Sequence, residues 1–181
     1  IAAWGGGIVE YTKETKQFRD YTDPDGNMEI DLFPDDGLVH DITTGASWDD
    51  GMLWVGTYFG LIRYDGVRWK GYFDHDSGLA SNFINFIKAS GKYVFIATDK
   101  GLSCTDGEKW ITYTRNKNNG NGKAMILEGT AKTEVVMNPS LSHNYILGVD
   151  LSEDMIWVAT SEGLSRGQLL NKQEKGQVTI Q

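Results

Sequence analysis

Oxygen-bearing side chains alternate along one short acidic stretch, where residues 21–33 read YTDPDGNMEIDLF. Calcium loops place their oxygen ligands at alternate positions, since each ligand must point at one hard cation. The pattern departs from an EF-hand loop, because Met28 stands where that loop has Gly and Pro34 where it has Glu. A solvated acidic turn and a calcium site both remain open. The candidate calcium ligands are Asp23, Asp25, Asn27, Glu29 and Asp31.

Three histidines, His40, His75 and His143, could supply acid–base or metal chemistry. Either role needs a carboxylate or a second imidazole within reach, which spacing alone does not give. The chain contains no GxSxG, HExxH or P-loop motif. Gly5-Gly6-Gly7 is followed by no helical pattern, so a strand-to-strand turn explains it better than a phosphate loop. The residues therefore favour structural or solvent-exposed histidines and a protein that is not an enzyme.

The overall charge narrows the range of partners. The chain has 181 residues and a formal net charge of −8. A surface of this sign repels phosphate backbones and anionic lipid, so we expect no nucleic acid partner. No apolar run reaches the roughly 20 residues of a membrane span, so we expect no membrane insertion. The single cysteine, Cys104, is predicted to pack inside a strand. The first residue is Ile rather than Met, which suggests a processed form or a piece of a longer protein.

An internal repeat is the main signal of fold. The segments 38–60, 79–101 and 141–163 align without a gap from a leading Leu to a closing Gly. Each carries an aromatic residue and then a Thr at fixed offsets. The repeat aromatics are Trp54, Phe95 and Trp157, and the threonine row is Thr57, Thr98 and Thr160. A partial copy at the N-terminus has Trp4 in place of the Thr.

Each full copy divides into four short strands separated by turn residues such as Asp65-Gly66. Four strands in about 41 residues is the size of one β-propeller blade. The sequence therefore predicts an all-β fold of about four 4-stranded antiparallel blades that belong to a larger ring. Stacking should bury the repeat aromatics against the neighbouring blade. The blades are placed roughly at 1–21, 38–73, 79–114 and 141–181, with insertions at 22–37 and 114–140, and residues 177–181 are offered as a late strand.

The copies resemble the two-component-regulator propeller repeat. The matching residues are Gly78-Leu79 with Asn82 and Ile84, Leu141 with Asn144 and Ile146, and the three blocks that read LWVGTYFGL, VFIATDKGL and IWVATSEGL. The resemblance implies a larger propeller, completed by further blades in the same or another chain. It also implies a sensor region of a bacterial signalling protein in a periplasmic or extracellular location.

Both insertions link the outer strand of one blade to the inner strand of the next. In a propeller such links share a face with the loops between second and third strands, and insertions mark the binding face of a repeat protein. The runs 123–129 and 132–138 predict a hairpin projecting from that face, as a lid or a docking edge. The candidate ligand-binding residues on this face are His40, Asp41, Tyr58, Phe59, Asn82, Asp99, Lys100, His143, Asn144 and Glu162.

Alternatives stay open for these residues and for the function. Asn82 and Asn144 could only cap turns, and Tyr58 and Phe59 could pack against a neighbouring blade. The first hypothesis is a binding or sensing module for a small or polymeric ligand, with carbohydrate favoured, or for a protein. The second is a structural subunit or fragment completed by other blades. The third is a propeller lyase or glycosidase, which would need two converging carboxylates such as Asp41 or Asp99.

Overall fold

The fold is known from a computed structural model that describes residues 1–23, 37–152, 155–169 and 178–180. These residues form strands and turns with no helix, and the strands make four antiparallel sheets. No helix long and apolar enough to cross a membrane occurs within those ranges. The all-β prediction is therefore confirmed, while the assembly of the sheets into a propeller stays a prediction.

Within each sheet, strands that follow each other in the chain are hydrogen-bonded neighbours. Sheet 1 contains β1 (Ala2–Ala3), β2 (Gly7–Thr12) and β3 (Gln17–Tyr21). Sheet 2 contains β4 (Thr43–Asp49), β5 (Met52–Thr57), β6 (Leu61–Tyr64) and β7 (Trp69–Tyr72). Sheet 3 contains β8 (Ile84–Ser90), β9 (Tyr93–Thr98), β10 (Leu102–Thr105), β11 (Lys109–Arg115), β12 (Gly122–Glu128) and β13 (Ala131–Met137). Sheet 4 contains β14 (Ile146–Ser152), β15 (Met155–Thr160), β16 (Gly163–Leu169) and β17 (Val178–Ile180).

The second strands of sheets 2 and 3 are apolar on both faces, because each of these sheets has a sheet packed on either side. In β9, Val94 and Ile96 belong to the core shared with sheet 2, whereas Phe95 and Ala97 belong to the core shared with sheet 4. Alternate residues of a strand point to opposite faces, so one apolar run fills two cores. A third core joins sheets 1 and 2 and includes Ile8. The sheets are thus stacked in chain order with an apolar core between each consecutive pair.

The first strands of sheets 2, 3 and 4 lie side by side, β4 against β8 and β8 against β14. The Asn85 amide donates to the Ile146 carbonyl at 2.7 Å, and the Gly91 N–H donates to Asp49 at 2.7 Å. The Lys88 ammonium pairs with Asp150 at 3.0 Å. Polar bonds therefore join the first strands across the sheet boundaries, in addition to the apolar cores.

One turn recurs between the second and third strands. Gly60 and Gly101 have φ of +138° and +155°, a region that side-chain-bearing residues rarely adopt. A Cβ atom there would lie 2.9 Å from the Tyr72 carbonyl oxygen in sheet 2 and 2.7 Å from the Tyr113 carbonyl oxygen in sheet 3. The repeated glycine is thus required both by backbone conformation and by the close approach of the fourth strand.

The hairpin predicted in the second insertion is confirmed as β12 and β13, but its predicted position is wrong. Instead of projecting from the loop face, β12 pairs with the whole of β11 and extends sheet 3 at its outer edge. The cause is the backbone of β11, whose outer edge would otherwise be unpaired. The strand β13 forms the new edge, and most of its side chains are exposed. Its use as a lid is not supported by this position, and its use as a docking edge stays a prediction.

The predicted burial of the repeat aromatics is confirmed for two members and wrong for the third. Trp54 and Phe95 are 0% and 1% exposed, whereas Trp157 is 39% exposed. Within the described residues, no sheet packs on the side of sheet 4 that carries Trp157, so that side chain has nothing to cover it. Cys104 is fully buried in β10 as predicted, and burial raises the pKa of its thiol, which leaves it unreactive.

Candidate functional site

The candidate site is a loop face at one end of the sheets, where the second strands end and the first strands begin. The Tyr58 N–H donates to the Ile42 carbonyl at 3.3 Å, and the Asp99 N–H donates to the Phe83 carbonyl at 3.4 Å. In sheet 4 the Ser161 N–H makes the same bond to Tyr145 at 3.0 Å. In every full copy these bonds hold the loop after the second strand next to the start of the first strand, and the predicted ligand-binding residues lie on these two segments.

The threonine row fixes the shape of each loop. The Thr57 hydroxyl donates to the Gly60 carbonyl at 2.8 Å and accepts the Phe59 N–H at 2.9 Å. Thr98 and Thr160 make the same pair of bonds in their own loops. Side chains that follow the threonine, such as Tyr58 and Lys100, are therefore presented on equivalent turns.

Three predicted site residues latch the start of one sheet to the end of the preceding strand. The Asn144 side chain accepts the Arg115 N–H at 2.6 Å and donates to the Arg115 carbonyl at 2.8 Å. Asn82 accepts the Asp74 N–H at 2.8 Å, and Asp41 accepts an N–H at 2.8 Å from Asp23. We call this row of Asp41, Asn82 and Asn144 the latch. Its side chains bond to backbone groups, as residues that cap turns do, and this favours a structural role over ligand contact.

The two predicted histidines also bond to their own backbone. The Nδ1 atom of His40 accepts the Ile42 N–H at 2.8 Å, and Nδ1 of His143 accepts the Tyr145 N–H at 3.0 Å. Ser81 occupies the same row in sheet 3 and makes the equivalent bond at 3.2 Å. His40 is buried, whereas His143 is half-buried and its Nε2 lies 3.9 Å from Glu162. The histidines therefore shape the turns, and His143 with Glu162 adds a polar group to the loop face.

Aromatic rings connect the first three sheets across the loop face. The Tyr58 ring stacks on Phe83 with centroids 4.0 Å apart, and Trp4 meets Tyr58 edge-on at 4.9 Å. Phe59 stacks on His40 at 4.4 Å. Tyr58 and Phe83 are half-buried, and Trp4 is 68% exposed. We call Trp4, Tyr58 and Phe83 the aromatic row. In this row Tyr58 packs against a neighbouring sheet, and the exposed Trp4 leaves part of the row accessible to solvent.

Sequence reasoning did not assign Trp4 or Phe83 to the site. The available signal for Trp4 was its departure from the Thr that every full copy has at that position. Phe83 directly precedes the buried Ile84, at which β8 begins. Its contact with Tyr58 joins two different sheets, and no spacing along the chain gives that contact.

The two carboxylates that were candidates for acid–base chemistry, Asp41 and Asp99, differ in their contacts. The Oδ1 atom of Asp99 is buried and has no hydrogen-bond partner among the described residues. Asp41, the other candidate for acid–base chemistry, is engaged in the latch. No group of three His, Cys, Asp or Glu side chains positioned to hold a metal occurs in the part of the chain that the structure describes. Asp23 is buried there, while Asp25, Asn27, Glu29 and Asp31 lie outside the described residues, so calcium binding stays a prediction.

The fold and the loop face define the class of protein, an all-β chain of repeated antiparallel sheets that presents variable side chains on equivalent turns. No protein-family model matches the chain, and no curated protein matches it.

Two solved structures are similar to it at low identity. One is the extracellular domain of a putative hybrid two-component system from B. thetaiotaomicron, with 14% identity, a TM-score of 0.39 and coverage of 93% of this chain. The other is the extracellular domain of a putative one-component system from the same organism, with 15% identity, a TM-score of 0.39 and the same coverage. The chain spans 30% and 31% of the length of those two chains. A TM-score at this level does not define a shared fold.

Proposed function

We propose that the chain is part of a β-propeller that binds a ligand on its loop face and does not catalyse a reaction. Support for the propeller comes from the stacking of consecutive sheets and from the adjacency of their first strands. The first strands of sheets 2, 3 and 4 also shift register at the same place, next to Thr43, Ile84 and Ile146. Equivalent irregularities in equivalent strands indicate one repeated unit rather than three unrelated sheets.

The observation that carries the proposed binding is the aromatic row. An exposed indole beside two half-buried rings offers an accessible apolar surface. Lys100 and Glu162 are exposed at equivalent positions of the turns of sheets 3 and 4. Ligand sites combine apolar and aromatic walls with a few polar groups that fix orientation. A carbohydrate ring suits this combination, because its C–H face packs on an aromatic ring while its hydroxyls meet polar side chains. We therefore favour a carbohydrate as the ligand and sensing as the role.

A binding experiment tests this proposal. We expect the full chain to bind at least one member of a panel of soluble glycans in isothermal titration calorimetry. Tyr58→Ala should weaken that affinity at least about tenfold, which corresponds to about 1.4 kcal/mol. The matched control is Tyr11→Ala, because Tyr11 is an exposed aromatic of sheet 1 that packs on Phe18 and lies outside the aromatic row. Absence of binding across the panel, or equal losses in the two variants, would contradict the proposal.

The proposal of a non-catalytic role has its own measurement. Glycosidase and lyase chemistry use converging ionisable groups, and canonical glycosidases place two carboxylates about 5–9.5 Å apart. Oδ1 of Asp99 has no hydrogen-bond partner among the described residues, and Asp41 bonds to the backbone. We expect no turnover of any glycan that the chain binds. Turnover that is lost in Asp41→Asn would overturn this part of the proposal.

A second function, assembly with further sheets, is favoured by the outer face of sheet 4. Trp157 and Leu164 are 39% and 61% exposed there, although their repeat equivalents in sheet 3, Phe95 and Leu102, are 1% and 0% exposed. Exposed apolar patches of this kind mark interaction surfaces. We propose that another sheet of the same repeat covers this face, supplied by the same polypeptide or by another chain.

Light scattering coupled to size exclusion tests the assembly. If sheets of a second copy cover the face, the mass should exceed that of one chain, and Trp157→Glu should return it to 20.2 kDa. If the same polypeptide supplies the cover, a longer fragment should shield Trp157 from acrylamide quenching. Both forms of the proposal would be excluded if the chain is monomeric and if acrylamide quenches the fluorescence of Trp157 equally well in longer fragments. An extracytoplasmic location is also proposed, and it follows from the resemblance to the two-component-regulator propeller repeat.

A further inference from the structure

A second concave site lies between sheets 1 and 2, away from the loop face. It is a cleft of about 400 Å³ lined by residues of both sheets. The loop face is next to the start of β4, whereas the cleft is lined by Trp48 near its end. Its volume is within the range of about 300–1,000 Å³ that small-molecule sites have. Neither the repeat nor the proposed function uses it.

One row of sheet 2 forms the apolar wall of the cleft. Trp48 pairs with Leu53, and Leu53 pairs with Tyr64, so the three side chains stand next to one another across β4, β5 and β6. Trp48 is 61% exposed, and Tyr64 is half-buried and stacks on Trp69 at 4.2 Å. The wall therefore presents an accessible indole supported by further aromatic rings.

The equivalent row of sheet 3 is fully covered. There Ala89 pairs with Val94, and Val94 pairs with Thr105, at exposures of 8%, 0% and 1%. The core that covers this row includes Trp54 and Ile87. Between sheets 1 and 2, Ile1 stands in the repeat position of Trp54 and Ala46 in that of Ile87. Smaller side chains at two positions leave open a space that the next interface fills.

Sheet 1 forms the opposite wall and contributes two opposite charges. Glu10 pairs with Arg19, and Ile8 pairs with Tyr21, so these four side chains share the face that packs toward sheet 2. The Tyr21 hydroxyl donates to Oε2 of Glu10 at 2.7 Å, and Cζ of Arg19 lies 4.8 Å from the centre of the Tyr21 ring. Burial and the bond to Glu10 raise the pKa of Tyr21 to about 12, so Tyr21 remains a neutral donor at physiological pH.

Glu10 and Arg19 form no ion pair with each other although they are cross-strand partners; the Tyr21 side chain contacts both. The guanidinium keeps its donors for another acceptor, and the carboxylate keeps its second oxygen for another donor. Two separated opposite charges beside an apolar wall match a ligand that carries both charges and an apolar ring.

We propose that this cleft binds a free aromatic amino acid in its zwitterionic form. The ring packs on Trp48, the ammonium group bonds to Glu10 and the carboxylate bonds to Arg19. This site is independent of carbohydrate binding at the loop face, because none of its residues belongs to the aromatic row.

Calorimetry with L-phenylalanine on the full chain tests the proposal. We expect binding, and we expect at least about tenfold weaker affinity for phenethylamine, which lacks the carboxylate, and for 3-phenylpropionate, which lacks the ammonium group. Trp48→Ala should weaken L-phenylalanine at least tenfold, and circular dichroism should show an unchanged fold because Trp48 is largely exposed. Arg19→Gln should remove the preference for L-phenylalanine over phenethylamine while leaving the preference over 3-phenylpropionate.

The control variant is Trp4→Ala, which removes an exposed indole from the loop face. It should leave L-phenylalanine affinity unchanged while weakening any glycan that the loop face binds. Absence of heat with L-phenylalanine would overturn the proposed site. An affinity for phenethylamine or for 3-phenylpropionate equal to that for L-phenylalanine, or an equal loss in Trp4→Ala and Trp48→Ala, would overturn the assigned chemistry.

Discussion

Two of the repeat aromatics stand on equivalent faces of sheets 3 and 4, and these faces differ in whether a neighbouring sheet covers them. Phe95 in sheet 3 and Trp157 in sheet 4 occupy the same position in aligned segments, yet they are 1% and 39% exposed. Leu102 and Leu164 show the same contrast at 0% and 61%. The repeat therefore fixes which residue type stands at a position and which way it points, whereas the adjoining sheet decides whether that residue stabilises the fold.

The largest expected effect follows from this contrast. Phe95→Ala should lower the free energy of unfolding by about 3–5 kcal/mol, because it removes apolar burial and leaves a cavity between sheets 3 and 4. Trp157→Ala should cost less than about 1 kcal/mol, since the side chain is partly solvated and has no covering sheet. Urea denaturation followed by circular dichroism measures both values. Similar losses in the two variants would mean that the outer face of sheet 4 is covered in solution.

Sequence reasoning predicted the sheets well because their signals are local. The gapless offsets of Leu, aromatic, Thr and Gly place the second strands, and β5, β9 and β15 lie where those offsets predict them. Asp50-Gly51 is a turn pair of the same kind as Asp65-Gly66, and its two residues have φ of 50° and 74°, as a tight turn between strands requires. Periodicity and turn chemistry act within a few residues, so a single sequence contains them.

Features that join different sheets were not predictable in the same way. The contact of Tyr58 with Phe83 and the exposure of Trp157 both depend on where a neighbouring sheet lies. The cleft depends on the combined size of Ile1 and Ala46, which are far apart in the chain. The hairpin was predicted from its residues, but its place at the edge of sheet 3 depends on the unpaired backbone of β11. Each of these outcomes is set by tertiary packing rather than by local pattern.

The latch gives a second, smaller test of the boundary between sheets 3 and 4. Asn144→Ala should destabilise the chain by about 1–3 kcal/mol, because the N–H and carbonyl of Arg115 lose their partners in a partly buried position. Asn118→Ala is the matched control, since Asn118 is an exposed asparagine in the turn after β11. It should change the free energy of unfolding by less than about 0.5 kcal/mol. Equal effects would show that the latch contributes nothing beyond the apolar core.

The smallest expected effect concerns the ion pair that joins β8 to β14 across the same boundary. The pKa of Asp150 is lowered below its ordinary value of 3.8, first because the Lys88 ammonium donates a hydrogen bond to it. The Leu151 N–H, which also donates to Asp150, and the positive charge of Lys88 lower it further. A lowered folded-state pKa means that the contribution is complete above pH 3.8 and is lost as the pH falls through the lowered value. Both side chains are solvent-exposed, so salt should screen the interaction.

Lys88→Gln should therefore lower the Tm slightly at pH 7 and low salt, but not at pH 2 or in high salt. The control Lys132→Gln, at an exposed position of β13, should show no such dependence on pH. A Tm difference for Lys88→Gln that persists at pH 2 would assign the contribution of Lys88 to its aliphatic packing against sheet 4 rather than to its charge.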